Sequence, residues 1–450
     1  MSFFTRELER VNFQFRLNQY TMKMFLEYLH SRNEKKWAKR VAEAQTTEDL
    51  WKLLVKRVPP IVGEYFRGAA DGEITMRQNV QAFQQAVTTA RGAIKFVSLD
   101  LRTTVVNHEL KVPWYASPVG SLRSLWPRAE VIAAKVAAEF GTVVGLSTLT
   151  GTPMEEVAAA APGMCWFQLY LCGGRDVATR GILRAKRAEF SGLILTIDTA
   201  VAGNRVVHAR MKPAVALQSF SGLGLGQRLR LLREKLRLLP QMITHRAWLF
   251  SYWADGGMMQ FANIQVDDKG TTMPYADIGI QLASSAVTWD DLGWIKEAWG
   301  DGPLIVKGVH NAEDAKRAED SGASAVIWSN HGGRQEDRVP PTLHIVAEEM
   351  PKMARSKMDF MMDGGVRNGK DVLIALSYGV KAVGLGRAYV AGLGAGGCAG
   401  MSRAFEIIRA ELERSMRLVG VRSVDEIREN GAAIRRQNLM GNSWVPEFVF

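Results

Sequence analysis

The sequence has few cysteines, no long apolar run and no low-complexity tail. Its three cysteines, Cys165, Cys172 and Cys398, lack metal-ligand spacing, and such a scattered, odd-numbered set is typical of reduced cytosolic thiols. No run of about 18 apolar residues is present to span a bilayer, and charged residues every few positions at the N-terminus exclude a signal peptide. These absences predict a cytoplasmic protein without a metal site, either soluble or bound peripherally to the inner face of the cell membrane.

Positive charges exceed negative charges by 11 over the 450 residues. Such an excess is typical of proteins that bind nucleic acid, an anionic membrane surface or acidic substrates. The basic residues are not gathered in a tail, which favours a local patch within a folded domain. We therefore expect an acidic small molecule and an anionic membrane surface as partners, and no nucleic acid.

Eight short apolar runs recur along the chain, and most of them are separated by segments with helical periodicity. They predict strands at 114–118, 143–148, 165–170, 192–198, 303–308, 325–330, 359–365 and 382–389. Strand–helix alternation repeated eight times predicts an α/β fold in which parallel strands close into a (β/α)8 TIM barrel. Such barrels carry their active sites at the carboxyl ends of the strands.

The remaining segments are assigned around this barrel. Residues 1–100 are predicted to form an N-terminal helical segment that covers one end of the barrel, with helices at 50–58 and 76–88. The barrel itself is assigned to 101–410. Residues 411–450 are predicted to form a C-terminal helical tail.

The interval between the fourth and fifth predicted strands, 201–290, is far longer than an ordinary βα connection and is predicted as an insertion. Within it, Leu229, Leu232, Leu236 and Leu239 recur at helical spacing. Basic residues occupy intervening positions, which predicts a basic amphipathic helix: Arg228, Arg230, Arg233, Lys235 and Arg237. Two interpretations stay open: a helix that packs on the barrel or on a neighbouring subunit, and a helix that binds an anionic membrane surface.

The segment 329–335, SNHGGRQ, sets His331 and Arg334 three residues apart after a predicted strand. A histidine exchanges a proton near neutral pH, and an arginine holds a carboxylate through two parallel hydrogen bonds. The two glycines between them allow a tight turn and close approach to a flat ligand. The segment therefore predicts proton transfer on a small acid, although the same letters are compatible with an ordinary strand-to-helix turn.

Two glycine-rich segments follow the seventh and eighth predicted strands: DGGVR at 363–367 and GLGR at 384–387. In (β/α)8 barrels these two loops commonly hold a phosphate on backbone N–H groups and a helix N-terminus. Arg387 adds a charge-assisted hydrogen-bond donor. The two segments together predict a phosphorylated ligand on this side of the barrel.

The motifs SNHGGRQ, VKG, DGGVR and GxGR, with FQLY at 167–170 and LTIDT at 195–199, give the chain a strong family resemblance. Over residues 45–430 it resembles the FMN-dependent α-hydroxy acid dehydrogenase and oxidase family. The SPVG segment at 117–120 is most similar to the membrane-associated bacterial L-lactate and mandelate dehydrogenases of that family. The resemblance implies bound FMN, a small L-2-hydroxy acid substrate and a homo-oligomer, commonly a tetramer. The haem domain of the family's cytochrome-fused members is not visible in the sequence.

The resemblance also implies roles for individual residues. His331 would be the catalytic base, and Asp198 would orient its imidazole and stabilise the imidazolium. The carboxyl and hydroxyl groups of the substrate would be held by four residues: Arg205, Arg334, Tyr65 and Tyr170. The ring, ribityl chain and phosphate of FMN would contact a larger set: Pro118, Gly120, Ser147, Gln168, Thr196, Lys307, Asp363, Gly365, Arg367, Gly386 and Arg387.

Two segments depart from the family pattern. The central motif is followed by EDR at 336–338 where the family usually has Leu-Asp-Gly, and the loop at 200–202 reads AVA without the frequent proline. Both flank the implied substrate site, so they leave the R group of the substrate open. Four other histidines lack neighbours of the catalytic kind and are interpreted as structural or exposed: His108, His208, His245 and His310.

The function implied is oxidation of a lactate- or mandelate-like L-2-hydroxy acid to the 2-oxo acid, with electrons passed to a membrane quinone or another acceptor. The alternative is an oxygen-using flavin oxidase that acts on a larger or peptide-borne hydroxy acid or amine. Steady release of hydrogen peroxide would distinguish the two.

Overall fold

The computed structural model describes residues 35–211, 224–257, 260–273, 281–282 and 286–436. Eight parallel strands form a closed barrel, in which each strand pairs with the next along the chain and the eighth pairs with the first. The predicted (β/α)8 barrel is thereby confirmed. Its strands, β1 to β8, are Trp114–Ala116, Val144–Ser147, Cys165–Leu169, Gly192–Thr196, Leu304–Val309, Ala325–Trp328, Asp359–Asp363 and Ala382–Leu385.

Side chains along these strands alternate between the barrel interior and the surrounding helices, because successive residues of a strand point to opposite faces. Trp166 and Ile194 belong to the interior cluster, whereas Phe167 and Leu195 belong to the larger cluster shared with the helices. Two residues beyond the interior apolar layer, the same alternation produces a buried polar layer at the carboxyl ends: Ser147, Gln168, Thr196, Lys307, Ser329 and Asp363.

Helices surround the barrel, and further helices precede its first strand and follow its last strand. A helical stretch at 35–42 is followed by sixteen helices within the described residues. These helices, α1 to α16, are Thr47–Arg57, Pro60–Arg67, Ile74–Gln85, Ala129–Glu139, Met154–Ala160, Arg175–Arg187, Val206–Arg210, Leu225–Thr244, Arg246–Ala254, Asp291–Trp299, Ala312–Asp320, Thr342–Glu349, Gly369–Leu376, Arg387–Val419, Val424–Glu429 and Gly431–Ile434. Single 3-10 turns lie at Leu122–Ser124 and Met350–Met353, whereas His331–Gly333 is a turn in which all three residues have positive φ.

Short strand pairs complete the described chain. The hairpin of Thr103–Val105 and His108–Leu110 adds apolar residues to the interior cluster, so it closes the amino-terminal end of the barrel. A second hairpin, Phe261–Gln265 with Thr272–Met273, lies in the insertion. Val87–Thr88 pairs with a strand near the end of the described chain, Arg435–Arg436.

Most predicted element boundaries differ from the structure by a few residues, and two of these differences have a clear cause. The predicted strand 382–389 ends at Leu385, because Arg387 begins the long helix α14. The predicted helix 76–88 ends at Gln85, since the residues that follow pair with a distant strand instead. Helix α14 also continues through residue 410 to Val419. Parts of the predicted N-terminal segment, insertion and tail, at 1–34, 212–223, 258–259, 274–280, 283–285 and 437–450, lie outside the described residues.

The segment before the barrel is held against α14 and the loop after β1. Arg57 Nη1 donates to Leu125 O at 2.7 Å and to Gly394 O at 3.1 Å. Gly394 allows helix α1 to pack closely on α14, because a Cβ at position 394 would approach Leu54 Cδ1 to 2.4 Å. Helix α2 follows directly, and its residue Tyr65 lines the cavity described below.

Candidate active site

One cavity opens at the carboxyl ends of the barrel strands. It encloses about 930 Å³, its open mouth included. All but three of the predicted site residues line it: Tyr65, Pro118, Gly120, Ser147, Tyr170, Arg205, Lys307, His331, Arg334, Asp363, Gly365, Arg367, Gly386 and Arg387. Several lining residues carried no prediction, among them Phe66, Val119, Leu149 and Val390.

The three other predicted residues, Gln168, Thr196 and Asp198, lie beneath this lining. Gln168 links Ser147 and Thr196 in a row of hydrogen bonds: Ser147 Oγ donates to Gln168 Oε1 at 3.1 Å, and Gln168 Nε2 donates to Thr196 Oγ1 at 3.0 Å. The side chains of Ser147, Gln168 and Thr196 are all buried. Gln168 and Thr196 therefore support the cavity wall through Ser147 and stand behind the surface that a ligand would meet.

His331 and Asp198 form the central pair of the site. The Nδ1 of His331 lies 2.9 Å from Asp198 Oδ1, and Thr199 Oγ1 donates to the same oxygen at 3.1 Å. An ionised carboxylate only accepts hydrogen bonds, so Nδ1 carries a proton in this contact. The neutral ring therefore presents Nε2 with its lone pair as the nitrogen that can accept a proton.

The electrostatics of this pair suit a base that is neutral at rest. Burial opposes ionisation of Asp198, but the His331 ring and Lys307 outweigh it and lower the pKa of Asp198 to about 2. Burial lowers the pKa of His331 below its usual range, and Asp198 offsets part of that effect. At neutral pH the pair is thus a carboxylate beside an uncharged imidazole that can take up a proton.

Ser329 connects the loop of His331 to Lys307. Its Oγ accepts from Lys307 Nζ at 2.9 Å and from the His331 backbone N–H at 3.0 Å, and it donates to Asp363 Oδ1 at 2.5 Å. Lys307 Nζ also lies 3.4 Å from Asp363 Oδ2. Ser329 was missed as a site residue in the sequence, although its place two residues before His331 and at the end of a strand was a usable signal.

A glycine in β5 makes room for the carboxylate. Gly308 has a φ of +97°, and a Cβ there would approach Asp198 Cβ and Cγ to 2.7 Å. The pairing register between β5 and β6 shifts between Lys307 and Val309, which is the local geometry of a bulge. The VKG motif therefore does two things: it places the lysine inside the barrel, and its glycine lets Asp198 approach His331.

The predicted substrate side gathers two arginines around Tyr65. The Cζ atoms of Arg205 and Arg334 each lie 5.4 Å from the centre of the Tyr65 ring. Arg334 Nη1 donates to the backbone oxygens of Tyr65 and Gly68 at 2.9 and 2.8 Å, which fixes one edge of its guanidinium. Arg205 Nε is buried without a hydrogen-bond partner among the described residues, as expected of a donor that faces an anionic ligand.

Tyr170 and His208 complete this side. Burial, reinforced by Asp198, raises the pKa of Tyr170, so the phenol stays protonated and can donate. His208, which was interpreted as structural or exposed, packs its ring at 5.5 Å against Tyr65. Burial, Arg205 and Arg334 lower the pKa of His208 to about 4, so it is uncharged at neutral pH.

The predicted phosphate side is rich in arginine and glycine. Arg387 Nε and Nη atoms donate at 2.9 to 3.2 Å to four backbone oxygens, those of Phe66, Arg67, Gly68 and Gly332. These bonds join the end of α2 to the loop that carries His331. Gly364 and Gly365 have φ values of +95° and +90°, and a Cβ at Gly365 would approach Asn79 O to 2.3 Å.

The charge of the cavity fits a ligand with a phosphate and a second anionic group. Among the described lining residues the cations are Arg205, Lys307, Arg334, Arg367 and Arg387, whereas Asp363 is the carboxylate. Burial and the neighbouring arginines lower the pKa values of Arg334 and Arg387. A phosphate and a substrate carboxylate would offset this repulsion and supply acceptors for the guanidinium groups. The residues present therefore fit FMN together with an organic acid.

The segments that contain or adjoin the two departures pack on neighbouring parts of the site. Asp337 is buried, and its carboxylate accepts from Thr75 N at 2.8 Å and Gly72 N at 3.1 Å, which stabilises the start of α3. In the loop after β4, Gly203 N donates to Gln335 Oε1 at 3.2 Å. A Cβ at Gly203 would lie 2.1 Å from Arg334 O, so the loop packs directly on the central motif.

Comparison with known proteins identifies the family. The model of the FMN-dependent dehydrogenase family matches residues 55–434. The chain is 33% identical over 396 residues to the pre-mycofactocin synthase of Mycobacterium tuberculosis, covering 87% of this chain and 93% of that protein. It is 34% identical over 378 residues to the L-lactate dehydrogenase of Chromohalobacter salexigens, covering 83% of this chain and 91% of the relative.

A solved structure supports the same assignment. The crystal structure of the monotopic membrane protein (S)-mandelate dehydrogenase superposes with a TM-score of 0.75 at 29% identity, covering 86% of this chain and 98% of that chain. The family match and the two relatives agree on the family, and the solved structure agrees with the barrel. The chain therefore belongs to the FMN-dependent dehydrogenase family, and its cofactor is FMN.

Proposed function

We propose that the protein oxidises a lactate- or mandelate-like L-2-hydroxy acid to the 2-oxo acid. The observation that carries this proposal is the juxtaposition, in one cavity, of the His331–Asp198 pair with Arg205 and Arg334. A base and a carboxylate clamp on the same side of a flavin site are the groups that oxidation of a small hydroxy acid requires. The L-lactate dehydrogenase and mandelate dehydrogenase relatives support this substrate class.

The chain's own residues supply binding and proton transfer. Arg205 and Arg334 hold the substrate carboxylate, and this places the hydroxyl-bearing carbon within reach of His331. Nε2 of His331 accepts the hydroxyl proton, and Asp198 stabilises the imidazolium that results. Tyr170 donates a hydrogen bond to the substrate oxygen. When bound, FMN supplies the acceptor for the two electrons that the substrate carbon loses.

The FMN itself would be held by residues on three sides of the cavity. Lys307 would face the N1–O2 edge of the ring, where a fixed cation favours the negative charge that develops on reduction. Pro118, Gly120 and Ser147 would lie along the ring, with Gln168 and Thr196 behind them. The ribityl chain and phosphate would be held by residues after β7 and β8: Asp363, Gly365, Arg367, Gly386 and Arg387.

The Asp198→Asn substitution is expected to slow flavin reduction by at least about 100-fold, because the imidazolium loses its stabilising charge. It is also expected to move the acid limb of the pH–rate profile to lower pH. Asp198 raises the pKa of His331 against the effect of burial, so removing the carboxylate lowers that pKa further and the base stays unprotonated in more acidic solution. Rapid-mixing measurement of flavin reduction between pH 5 and 8 tests both effects; an acid limb that stays in place or moves to higher pH would contradict the assignment.

We further propose that helix α8 attaches the protein to an anionic membrane surface. Its apolar residues recur at i, i+4, i+7, i+11, i+14 and i+18 and are 46% to 76% exposed: Leu225, Leu229, Leu232, Leu236, Leu239 and Ile243. Phe250 and Trp253 of α9 are also exposed. No helix among the described residues is long and apolar enough to cross a membrane. The similarity to a monotopic membrane protein supports attachment at the surface.

Replacing Arg228, Arg230 and Arg233 with Gln is expected to weaken binding to anionic vesicles by about 100-fold, since each basic residue near such a surface contributes about 1 kcal/mol. Anaerobic flavin reduction by the substrate should be nearly unchanged. Vesicle co-sedimentation at low salt measures the binding, and added salt should release the parent protein.

The control for this experiment removes the same charge from a barrel helix. Arg409, Arg414 and Arg417 lie on α14, and their triple Gln variant should bind vesicles as the parent does. Equal binding by the α8 variant and the parent would favour the other interpretation, in which α8 packs on a neighbouring subunit of the proposed homotetramer; light scattering would then report the subunit contact.

The proposed electron acceptor is a membrane quinone, in keeping with the exposed apolar face of α8. A second candidate function is an oxygen-using oxidase with a larger or peptide-borne hydroxy acid or amine as substrate. The similarity to the glycolate oxidase of Spinacia oleracea, which is 31% identical over 376 residues, supports an oxidase. Anaerobic quinone reduction with little hydrogen peroxide release in air supports the dehydrogenase, and steady peroxide release supports the oxidase.

A further inference from the structure

A second cleft lies beside helix α8, the helix proposed above to bind the membrane surface. It encloses about 810 Å³, its open mouth included, between helices α2, α7 and α8. Its described lining comprises three apolar residues and four polar or charged residues: Pro60, Met211, Leu238, Arg210, Glu234, Arg237 and Gln241. Nothing in the proposed oxidation of the hydroxy acid uses this cleft.

The cleft is close to the active site, because two short helices reach both. Helix α2 has Pro60 at the cleft and Tyr65 at the active-site cavity. Arg205, which precedes α7, lines the cavity, and Arg210 at the other end of α7 lines the cleft. Five residues of helix span about 8 Å. The two sites are therefore separated by roughly the length of one or two helical turns.

Aromatic rings lie in the protein between the two sites. Tyr65 lines the active-site cavity, and its ring meets that of His208 at 5.5 Å with an interplanar angle of 64°. His208 lies on α7, two residues before Arg210. His208 is uncharged at neutral pH, so this contact places an uncharged imidazole beside the Tyr65 ring on the short path from the cavity to the cleft.

The lining of the cleft suits a flat, neutral ligand with carbonyl groups. Arg237 Nη1 donates to Glu234 Oε1 at 2.8 Å, and this ion pair reduces the positive charge that would favour a phosphate. Gln241 Oε1 accepts from Ile61 N–H at 3.2 Å, so its NH2 group is the end that can donate to a ligand carbonyl. Apolar walls with a few donors are typical of sites for aromatic ligands.

The cleft is also continuous with the proposed membrane face. Leu238 lines the cleft, while its neighbours Leu236 and Leu239 are 55% and 46% exposed on the apolar face of the same helix. A ligand with a ring in the cleft could thus keep a hydrocarbon tail in the bilayer. This arrangement favours a membrane-soluble ligand over a soluble metabolite.

We propose that this cleft binds the head group of a quinone, which receives the electrons removed from the hydroxy acid. The inference rests on the proposed function and adds a place for its acceptor. The hydroxy acid loses two electrons and two protons when it becomes the 2-oxo acid. The quinone takes up two electrons and two protons and becomes the hydroquinone, so the exchange balances without another reactant.

The test blocks the cleft while leaving the substrate side intact. Leu238→Trp fills the cleft with an indole ring, and Leu183→Trp places the same residue on barrel helix α6 as the control. The purified holoenzyme is assayed in detergent with a short-tailed benzoquinone, so that membrane attachment plays no part. We expect Leu238→Trp to lower the second-order rate constant for reoxidation by the quinone at least tenfold, while anaerobic flavin reduction and reoxidation by ferricyanide stay at the parent rates. The control should match the parent in all three.

A second arm locates the ligand without relying on turnover. A photoreactive azido-benzoquinone, irradiated with the parent holoenzyme, should label peptides that contain Met211 or Leu238, and excess unlabelled quinone should suppress that labelling. Labelling elsewhere, or parent-like quinone reoxidation by Leu238→Trp, overturns the cleft assignment alone. A parent that no quinone reoxidises overturns the proposed acceptor and the cleft with it. Protection by phospholipid but not by quinone would identify a lipid-binding cleft and also overturn the proposal.

Discussion

The His331→Gln substitution is expected to slow anaerobic flavin reduction by the hydroxy acid by about 10²- to 10⁴-fold, while FMN remains bound. The expected loss rests on Nε2 of His331: Asp198 binds the Nδ1 side of the ring at 2.9 Å and leaves Nε2 as the proton acceptor. Glutamine keeps the approximate size and a hydrogen-bonding end but takes no proton. Rapid mixing of the oxidised protein with substrate, followed at the flavin absorbance, measures the change.

His344→Gln provides the control for this experiment. His344 is an exposed residue of α12, and its replacement should leave the rate of flavin reduction unchanged. If the His331 variant reduced its flavin within about tenfold of the parent rate, the base would have to be another group. FMN content should be equal in all three proteins, since His331 contributes no cation to the phosphate side.

Arg334→Lys and Arg387→Ala are expected to separate the two anionic ends of the site. Arg334→Lys should weaken binding of a 2-oxo or 2-hydroxy acid by about 10- to 100-fold, because lysine lacks the planar pair of donors that grips a carboxylate. Its FMN content should stay near that of the parent. Arg387→Ala should instead lower FMN affinity by a similar or larger factor, since it removes a charge from the predicted phosphate side.

Two measurements distinguish these variants. Titration of the flavin spectrum with a 2-oxo acid gives substrate-side affinity, and the fluorescence of released flavin gives FMN affinity. Arg409→Ala on the outside of α14 is the control for loss of one arginine. Equal losses of both affinities in the two variants would mean that the substrate and phosphate ends are not separate. Arg387 also donates to the backbone oxygens of Gly68 and Gly332. The thermal unfolding of the Arg387→Ala variant should therefore be compared with that of the parent.

Much of the fold was predictable because its signals are local. Each barrel strand is a short apolar run, and the following polar residue sits two positions beyond an interior residue, as Gln168 follows Trp166 and Lys307 follows Ile305. Strand periodicity alone therefore places these polar groups inside the barrel at its carboxyl end. The same reasoning predicted the cavity but gave only approximate element ends, since Arg387 begins a helix where a strand was expected to continue.

The less predictable features depend on contacts between distant parts of the chain. Gly308 matters because Asp198, more than a hundred positions earlier, packs against it. Asp337, inside the EDR segment, accepts hydrogen bonds from the start of α3, which lies more than 250 positions earlier in the chain. His208 lies beside Tyr65 only because α7 packs on α2. No local sequence pattern encodes these contacts between distant residues, so periodicity and motif spacing could not predict them.

The most direct test of the proposed chemistry is anaerobic reduction of the bound FMN by a panel of 2-hydroxy acids. The panel pairs the L and D enantiomers of lactate, mandelate and larger 2-hydroxy acids, and each is mixed with the oxidised protein without any electron acceptor. We expect rapid bleaching of the flavin by at least one L enantiomer, formation of one 2-oxo acid per FMN, and no comparable reaction with its D partner. Failure of every L-2-hydroxy acid to bleach a fully loaded flavin would contradict the proposed function.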